Sequence, residues 1–403
     1  MRYSKEEVIQ YVREEDVKFI RLAFCDVFGR QKNISIMPDE LERAFEYGIS
    51  FDASAVQGFG DEAHSDLMLF PDADTLVPLP WRPERGRVVQ MFSSIRRPDG
   101  REFYGDTRAL LKKAVEDAKD KGLEFTFGSE EEFYLFKLDE FGFPTKVPSD
   151  RAGYMDIAPD DRGENVRREI CLILEQMGIH PESSHHEMGP GQNEIDFRYA
   201  SAIEAADSAM IFQRVVRTVA FNNGLFADFS PRPLSDSPGN GFHINMSILP
   251  LDEEKLFEYM IAGILKHVKE MTAFLNPVED SYRRLGAFKA PLYVSWSREN
   301  RSPLVRIPAA NGPYRRAELR SPDPTANPYL SFALMIWASL EGIEGKLPLF
   351  KPADINLFTA EKDVLSQYER LPESYEEACR IASSSSFIKK HIPQEILSIY
   401  CNN

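Results

Sequence analysis

Cysteine is scarce in this chain of 403 residues, and long apolar runs are missing. The four cysteines, Cys25, Cys171, Cys379 and Cys401, are far apart and form no CxxC pair, which favours reduced thiols over a disulfide framework or a zinc site. No stretch approaches the roughly 20 apolar residues that a transmembrane helix needs. The N-terminal sequence MRYSKEEVIQ is charged and lacks the apolar segment of a signal peptide. We therefore expect a cytoplasmic protein.

Basic residues are outnumbered, with 48 Lys and Arg against 64 Asp and Glu and a formal net charge of -16. This balance argues against nucleic acids and anionic membranes as partners. Residues 283–320 are an exception, because they contain nine basic residues and only two acidic ones. Most of the nine are arginines, which suit phosphate and carboxylate groups, so this segment predicts an anionic ligand. A solvated basic surface is the alternative.

The length predicts about two domains, and the sequence pattern places the boundary near residue 100. Residues 1–100 resemble a small α+β unit: a capping box at Ser4 and Glu7, a strand at 17–24 and a helix at 39–47. The turn-rich sequence RRPDGREFYG separates this N-terminal domain from a second domain at 101–403. We also predict a helix that begins after Asp106, further helices near 162–178, 201–223, 252–275 and 327–345, and a loop at 383–386.

Two glutamates share one face of a predicted strand at 123–136, LEFTFGSEEEFYLF. Glu130 and Glu132 are two residues apart, so their side chains point to the same side, about 7 Å apart at the backbone. Two such carboxylates repel each other unless a cation lies between them, and oxygen-rich sites suit magnesium or manganese. The alternative is a solvent-exposed edge strand.

Glutamates and a histidine recur in two further strand-like stretches. In HHEMGPGQNEIDF, Glu187 precedes a Gly/Pro loop and Glu194 opens the strand that follows. In PGNGFHINMSI, the glycine-rich turn with Gly239 allows a ligand to approach the backbone closely, and His243 follows it. Histidines are often only structural, so each stretch alone leaves that alternative open.

A fourth stretch, RAELRSP, places Glu318 and Arg320 on one strand face, where the arginine keeps the carboxylate ionised. The four stretches together predict an oxygen-rich divalent-metal site beside arginines, a combination that fits phosphoryl transfer. No GxxxxGKS/T loop is present and no GxGxxG follows a strand, so a nucleotide must bind in some other way.

These stretches resemble segments of the glutamine synthetase family, in its bacterial and archaeal type I form. FDASAVQGF at 51–59 and SDLMLFPD at 65–72 are similar to the family's FDGSS…GF and SDMYLYPD, and the four stretches follow in the family order. NPVEDSYRRL at 276–285, RENRSPLVRIP at 298–308 and RAELRSPDPTANPYL at 316–330 complete the resemblance, which spans nearly the whole chain. It implies an α+β protein: an N-terminal β-grasp domain, then a catalytic domain with a curved antiparallel sheet flanked by helices.

The resemblance also implies a role for each candidate residue. The implied ligands of one metal ion are Glu132, Glu187 and Glu194. The implied ligands of a second ion, which bridges the nucleotide phosphates, are Glu130, His243 and Glu318. The implied ATP-binding residues are Arg301, Arg306 and Ser247. The implied residues for glutamate and the transferred phosphoryl group are Gly239, Arg284 and Arg320. Asp52, supplied by a neighbouring subunit, is implied to attract and deprotonate ammonium.

The implied enzyme is a homo-dodecamer of two hexameric rings with active sites between subunits, and it uses ATP and two or more magnesium or manganese ions. ATP phosphorylates the side-chain carboxylate of glutamate, and ammonia then attacks the acyl phosphate to give glutamine. The metals and arginines stabilise the developing charge, while a carboxylate accepts the proton of the amine.

The predicted flap departs from the family pattern. The family's PGYEAP is GAFKAP here at 286–291, with Lys289 in place of the glutamate that helps accept the proton. A cation repels ammonium by roughly 4 kcal/mol at 4 Å and an effective dielectric of about 20, unless Lys289 is buried and neutral or pairs with an acidic substrate. Three functions therefore remain open: glutamine synthesis, ligation of a different amine or carboxylate, and a catalytically weak regulatory role.

Overall fold

The structure is a computed structural model that describes residues 3–82, 85–250, 254–309 and 315–402. The chain divides into two compact units, Met1–Leu110 with Leu172–Ile179, and Leu111–Cys171 with His180–Asn403. Both units combine β-strands with α-helices, which confirms the predicted α+β class. Within the described ranges, no helix has the length and apolar character needed to cross a membrane.

The first unit begins with helix α1 (Lys5–Glu14), which starts at the predicted capping box: the Ser4 hydroxyl accepts from the Glu7 N–H, and the Glu7 carboxylate accepts from the Ser4 N–H. The predicted helix at 39–47 is α-helical only from Leu41, because residues 38–40 form a 3-10 turn that starts at a proline. The other elements are β1 (Val17–Cys25), β2 (Gln31–Ile36), α2 (Leu41–Tyr47), β3 (Ile49–Asp52), β4 (Asp66–Pro71), β5 (Val77–Pro78) and β6 (Arg87–Arg96).

These strands form one mixed sheet in the order β2-β1-β6-β4-β3, with β5 paired to β6. The central pair β1 and β6 is parallel, and β1 and β2 form an antiparallel hairpin. Ile20 and Leu22 on β1 and Val89 and Met91 on β6 are fully buried, so this pair forms the core of the unit.

Helices α3 (Thr107–Lys119) and α4 (Glu164–Gln176) each have residues in both units. Asp106 caps α3 as predicted, since its Oδ1 accepts from the Ala109 N–H at 3.0 Å. The strands of the second unit are β7 (Glu124–Leu138), β8 (Pro144–Pro148), β9 (Pro181–His186), β10 (Gln192–Phe197), β11 (Ala200–Ser201), β12 (Leu225–Asp228), β13 (Phe242–Leu249), β14 (Trp296–Arg298), β15 (Val305–Ile307) and β16 (Ala317–Leu319).

The remaining helices of the second unit are α5 (Ala202–Asn222), α6 (Glu254–Leu275), α7 (Glu279–Arg284), α8 (Pro328–Glu344), α9 (Lys362–Leu365), α10 (Tyr375–Ser384), α11 (Ser386–His391) and α12 (Gln394–Cys401). The four long predicted helices are therefore confirmed, although residues 252 and 253 lie outside the described residues. The predicted loop at 383–386 is wrong, because Ser385 alone separates α10 from α11. Its hydroxyl accepts from the Ile388 N–H at 3.0 Å and so starts the next helix.

The sheet of the second unit follows the order β14-β15-β16-β13-β7-β10-β9, and β8, β11 and β12 also pair with β7. The predicted antiparallel pairing holds except between β14 and β15, which are parallel. Each of these two strands has only three residues. The long central strand β7 thus contacts most of the sheet.

Two glycines let helices α6 and α8 pack closely. A Cβ atom on Gly263 of α6 would lie 2.1 Å from the Ala338 carbonyl oxygen, and one on Gly342 of α8 would lie 2.2 Å from the Tyr259 carbonyl oxygen. Both distances are shorter than a real carbon–oxygen contact. The two helices therefore depend on glycine at these positions.

We expect Gly263→Ala to lower the free energy of unfolding by about 2 kcal/mol or more, because separating two packed helices costs more than the roughly 1 kcal/mol of helix propensity that alanine gains. Urea denaturation followed by circular dichroism measures the change. Gly153→Ala is the matched control, since its added Cβ would lie an ordinary 3.5 Å from the nearest described atom, Asp156 Oδ2. Equal stability of the two variants would contradict the expectation.

Candidate active site

A row of charged side chains crosses five neighbouring strands of the second sheet, β15-β16-β13-β7-β10. Arg306 pairs with Glu318 in the register of β15 and β16, and His243 pairs with Glu130 in the register of β13 and β7. On the other side of β7, Glu194 of β10 lies opposite Glu132. Residues opposite each other on adjacent strands have neighbouring side chains, so this register brings four distant parts of the sequence together.

The two faces of β7 divide as the alternation predicts. Phe127 and Phe133 are fully buried on one face, and Glu131 is fully buried with them. Glu130 and Glu132 lie on the other face, where both line a cavity. The strand therefore presents two carboxylates to one site and keeps its aromatic side chains in the core.

Glu130 lies at the centre of a hydrogen-bonded group. Its Oε2 is 3.2 Å from His243 Nδ1, and its Oε1 accepts from Asn245 Nδ2 at 2.8 Å. Burial by itself raises the pKa of Glu130, but hydrogen bonds from His243 and Asn245 and the charge of Arg320 outweigh it and hold the pKa at about 2. Glu130 is therefore an ionised carboxylate inside the site.

Glu318 is buried between two arginines. Its Oε2 accepts from Arg306 at 2.8 Å, its Oε1 accepts from Arg320 Nε at 3.0 Å, and the same Oε1 is 3.5 Å from His243 Nδ1. Arg320 also donates to the Arg301 carbonyl oxygen. These bonds fix the position of Arg320 at the wall of the cavity.

A second acidic group includes a histidine from β9. His185 Nε2 is 3.3 Å from Glu194 Oε1, and His185 Nδ1 is 3.9 Å from Glu187 Oε1. Burial and then the negative charge of Glu132 raise the pKa of Glu187 to about 7, and the same two causes raise the pKa of Glu194 well above its usual value. These carboxylates are crowded by like charge, and a cation would relieve that repulsion.

The charged groups line one cavity of about 320 Å³ within the second unit. The predicted acidic and imidazole residues on its wall are Glu130, Glu132, Glu187, Glu194 and His243. The predicted cations on its wall are Arg284, Lys289, Arg301 and Arg320, and the predicted glycine is Gly239. Carboxylates and cations thus face the same space, as a site for a metal ion and an anionic substrate requires.

The other predicted residues lie apart from this wall. Arg306 and Glu318 are not on it, although Glu318 contacts Arg320 and His243, which both line the cavity. Ser247 is buried, and its hydroxyl donates to the Arg315 carbonyl oxygen at 2.7 Å. Asp52 belongs to the first unit, where it is exposed and accepts from the Ser54 hydroxyl at 2.7 Å.

The absence of a side chain at Gly239 leaves room for Arg284 in the cavity wall. A Cβ atom on Gly239 would lie 2.2 Å from the Pro231 carbonyl oxygen and 3.0 Å from Arg284 Cγ. The Arg284 guanidinium is buried and donates to the Ser321 carbonyl oxygen at 2.8 Å. A larger residue at 239 would displace this arginine.

Several residues to which the sequence did not point hold the predicted site residues in place. Gln192 Nε2 donates to Glu132 Oε2 at 3.2 Å and to the Gly239 carbonyl oxygen at 3.1 Å, so it joins two sides of the site. Asp150 Oδ1 bonds His186 Nε2 at 2.9 Å and accepts from the Gly191 N–H at 3.0 Å, which holds both ends of the loop after Glu187. Strand alternation does predict that His185 and His186 face opposite sides, but no local signal points to Asp150.

The donor set fits a divalent metal. Ligand atoms of Glu130, Glu194 and His243 lie within 4.8 Å of one another, and so do those of His185, Glu187 and Glu194. Carboxylate oxygens, which supply two of the three ligand atoms in each group, are the ligands that magnesium and manganese prefer. Glu194 is common to both groups. Glu132 lies opposite Glu194 on the neighbouring strand, and its Oε2 accepts from the Gly241 N–H at 2.7 Å and from Gln192.

Comparison with known proteins matches both parts of the chain to domains of one family. The family model for the catalytic domain of glutamine synthetase matches residues 104–403, and the model for its β-grasp domain matches residues 16–98. The β-grasp assignment of the N-terminal part is thereby confirmed.

Among curated relatives, the glutamine synthetase of Methanosarcina mazei is 43% identical, and the match covers 98% of this chain and 92% of the relative. The glutamine synthetase of Staphylococcus aureus (strain Mu50) is 39% identical and covers 100% and 94%. A solved complex of GmaS with ADP has a TM-score of 0.88 at 28% identity and covers 97% and 93%. The Plasmodium falciparum glutamine synthetase, at 23% identity, has the same fold, with a TM-score of 0.87 and coverage of 99% and 95%. With matches of this length and identity, the chain belongs to the glutamine synthetase family.

Proposed function

We propose that this chain ligates ammonia to the side-chain carboxylate of glutamate with ATP and thereby makes glutamine. The observation that carries the proposal is one cavity with Glu130, Glu194 and His243 on one part of its wall and Arg284 and Arg320 on another. The curated relatives, which are named glutamine synthetases, support ammonia as the amine rather than a different one. They also argue against a purely regulatory role.

We propose that two or more magnesium or manganese ions bind in this cavity. The ligands are those that the resemblance implies: Glu132, Glu187 and Glu194 for one ion, and Glu130, His243 and Glu318 for the other. The placement of Glu194 beside Glu130 and His243 allows the two ion positions to be close neighbours. When bound, the ions supply positive charge to the transferred phosphoryl group.

Arg284 and Arg320 hold the anionic groups that react. Both guanidinium groups are buried and fixed by bonds to protein oxygens, so they are positioned before the substrate arrives. In the first step a carboxylate oxygen of glutamate bonds to the terminal phosphorus of ATP, and the bond from that phosphorus to the ADP oxygen breaks. Fixed cations beside the new acyl phosphate stabilise the charge that moves onto it.

In the second step the nitrogen of ammonia bonds to the acyl carbon, the carbon–oxygen bond to phosphate breaks, and the nitrogen gives up one proton to leave the neutral amide. Ammonium must first lose a proton to become ammonia, and we propose Asp52 of a neighbouring subunit as the group that attracts and deprotonates it. Asp52 is exposed in the first unit, as a residue offered to another subunit must be. Hydrogen bonds from the Ser54 hydroxyl and N–H lower the pKa of Asp52, which keeps it anionic.

We propose that ATP lies near Arg301, Arg306 and Ser247, in a dodecamer of two hexameric rings with each site between two subunits. Arg301 lines the cavity, and the similarity to a GmaS structure that holds ADP supports a nucleotide site in this fold. Residues 1–100 and 101–403 are the proposed functional domains, and the cytoplasm is the proposed location.

The decisive experiment is phosphate release from ATP by the purified full-length protein, with magnesium, glutamate and one amine at a time. We expect turnover with ammonium and a product with the mass of glutamine. Methylamine, ethanolamine and a polyamine serve as comparison amines, and a reaction without amine serves as the blank. Addition of EDTA should abolish turnover, and excess magnesium should restore it.

Turnover with another amine but not with ammonium would overturn the proposed substrate and leave the ligase chemistry intact. No turnover with any amine, together with normal ATP binding, would overturn the enzymatic proposal itself.

A further inference from the structure

Two cations on the cavity wall, Lys289 and Arg301, have no hydrogen-bond or ion-pair partner among the residues that the structure describes. Arg284 and Arg320, by contrast, donate to the Ser321 carbonyl oxygen and to Glu318. Lys289 and Arg301 are also exposed, so they remain hydrated and available to a ligand.

The sequence left two ways in which Lys289 could avoid repelling ammonium: burial as a neutral amine, or pairing with an acidic substrate. The exposure of the side chain decides between them. A buried and neutral lysine is excluded, because the side chain is exposed. The remaining alternative is an anionic partner supplied by a ligand.

We propose that Lys289 and Arg301 form an oxyanion clamp that binds the phosphoryl group during the reaction and the phosphate ion after it. Lys289 acts as a compact point charge and Arg301 as a planar fork, and both types of side chain bind phosphate well. This assignment rests on the proposed ligase function and makes Lys289 a phosphate-binding residue rather than a proton acceptor.

The reaction itself favours phosphate over a carboxylate as the occupant. Phosphate carries up to two negative charges at neutral pH and three equivalent oxygens, so it can bond to two separate cations at once. The clamp has a consequence for the second step, because a cation in the flap cannot accept the proton of ammonium. That proton must leave through another group, and Asp52 is the proposed one.

The test is isothermal titration of inorganic phosphate into the full-length protein with magnesium and saturating ADP, at constant ionic strength because salt screens exposed charges. We expect Lys289→Gln to weaken phosphate binding by about 10-fold, since a charged hydrogen bond is lost. Lys289→Arg should stay within about threefold of the unsubstituted protein, because it keeps a cation that binds phosphate. Arg283→Gln is the matched control: Arg283 is an exposed cation on α7 that pairs with Asp280 at 3.1 Å and does not line the cavity.

Phosphate binding that is unchanged in Lys289→Gln would overturn the clamp. A parallel titration with aspartate distinguishes a carboxylate occupant: weaker aspartate binding with unchanged phosphate binding would also overturn it. Lys289 is exposed, so we expect the variant to keep its thermal unfolding temperature. The titration needs no turnover and no amine, so its outcome is independent of whether ammonium proves to be the substrate.

Discussion

Replacing Glu130 with glutamine is expected to lower kcat by about 1000-fold. Glu130 is an ionised carboxylate whose oxygen lies with ligand atoms of Glu194 and His243, so a neutral amide weakens the metal site. Metal ions stabilise a transferred phosphoryl group by several kcal/mol, and a loss of about 4 kcal/mol corresponds to about 1000-fold in rate. The measurement is phosphate release over a range of magnesium concentrations, and we expect a higher magnesium requirement as well as a lower maximum rate.

Glu124→Gln is the control for this variant, because Glu124 starts the same strand, β7, and is exposed away from the cavity wall. It should keep its activity within about twofold, as most surface substitutions change little. If Glu130→Gln retained more than a tenth of the activity at the same magnesium concentration, the assignment of Glu130 as a metal ligand would be wrong.

Replacing Arg320 with glutamine is expected to have an effect of similar size, a loss of about 1000-fold in kcat. Arginines that stabilise a transferred phosphoryl group contribute roughly 1000-fold or more. Arg320 is held by Glu318 and by the Arg301 carbonyl oxygen, so its guanidinium is positioned before substrate binds. Arg320→Lys should not restore activity, because lysine cannot reproduce the planar set of donors.

Arg306→Gln separates two explanations of the Arg320 effect. Arg306 also donates to Glu318, at 2.8 Å, but it does not line the cavity. If Arg320 acts only by orienting Glu318, the two variants should lose similar amounts of kcat. If Arg320 contacts the phosphoryl group, Arg320→Gln should lose far more kcat, and Arg306→Gln should mainly raise the KM for ATP. Similar losses of kcat would therefore argue against direct contact.

Much of the site was predictable because strands alternate. The separation of Glu130 and Glu132 from Glu131 follows from the two-residue repeat alone, and the structure buries Glu131 in the core. The capping residues Ser4 and Asp106 were also predictable from the local sequence, because a side chain close in sequence satisfies the free N–H groups at the start of a helix. Resemblance to a family supplied the roles, which residue patterns alone leave open.

The sequence by itself thus determined which faces are charged, where most helices begin and end, and which side chains suit a metal or a phosphoryl group. Only the tertiary structure decided which of these faces meet: His243 and Glu130 are 113 residues apart, and Gln192 reaches Glu132 across 60 residues. It also decided that Lys289 is exposed on the wall of the cavity. The physical reason is that local patterns follow from the geometry of one strand or helix, whereas strand order and loop placement follow from packing between distant segments.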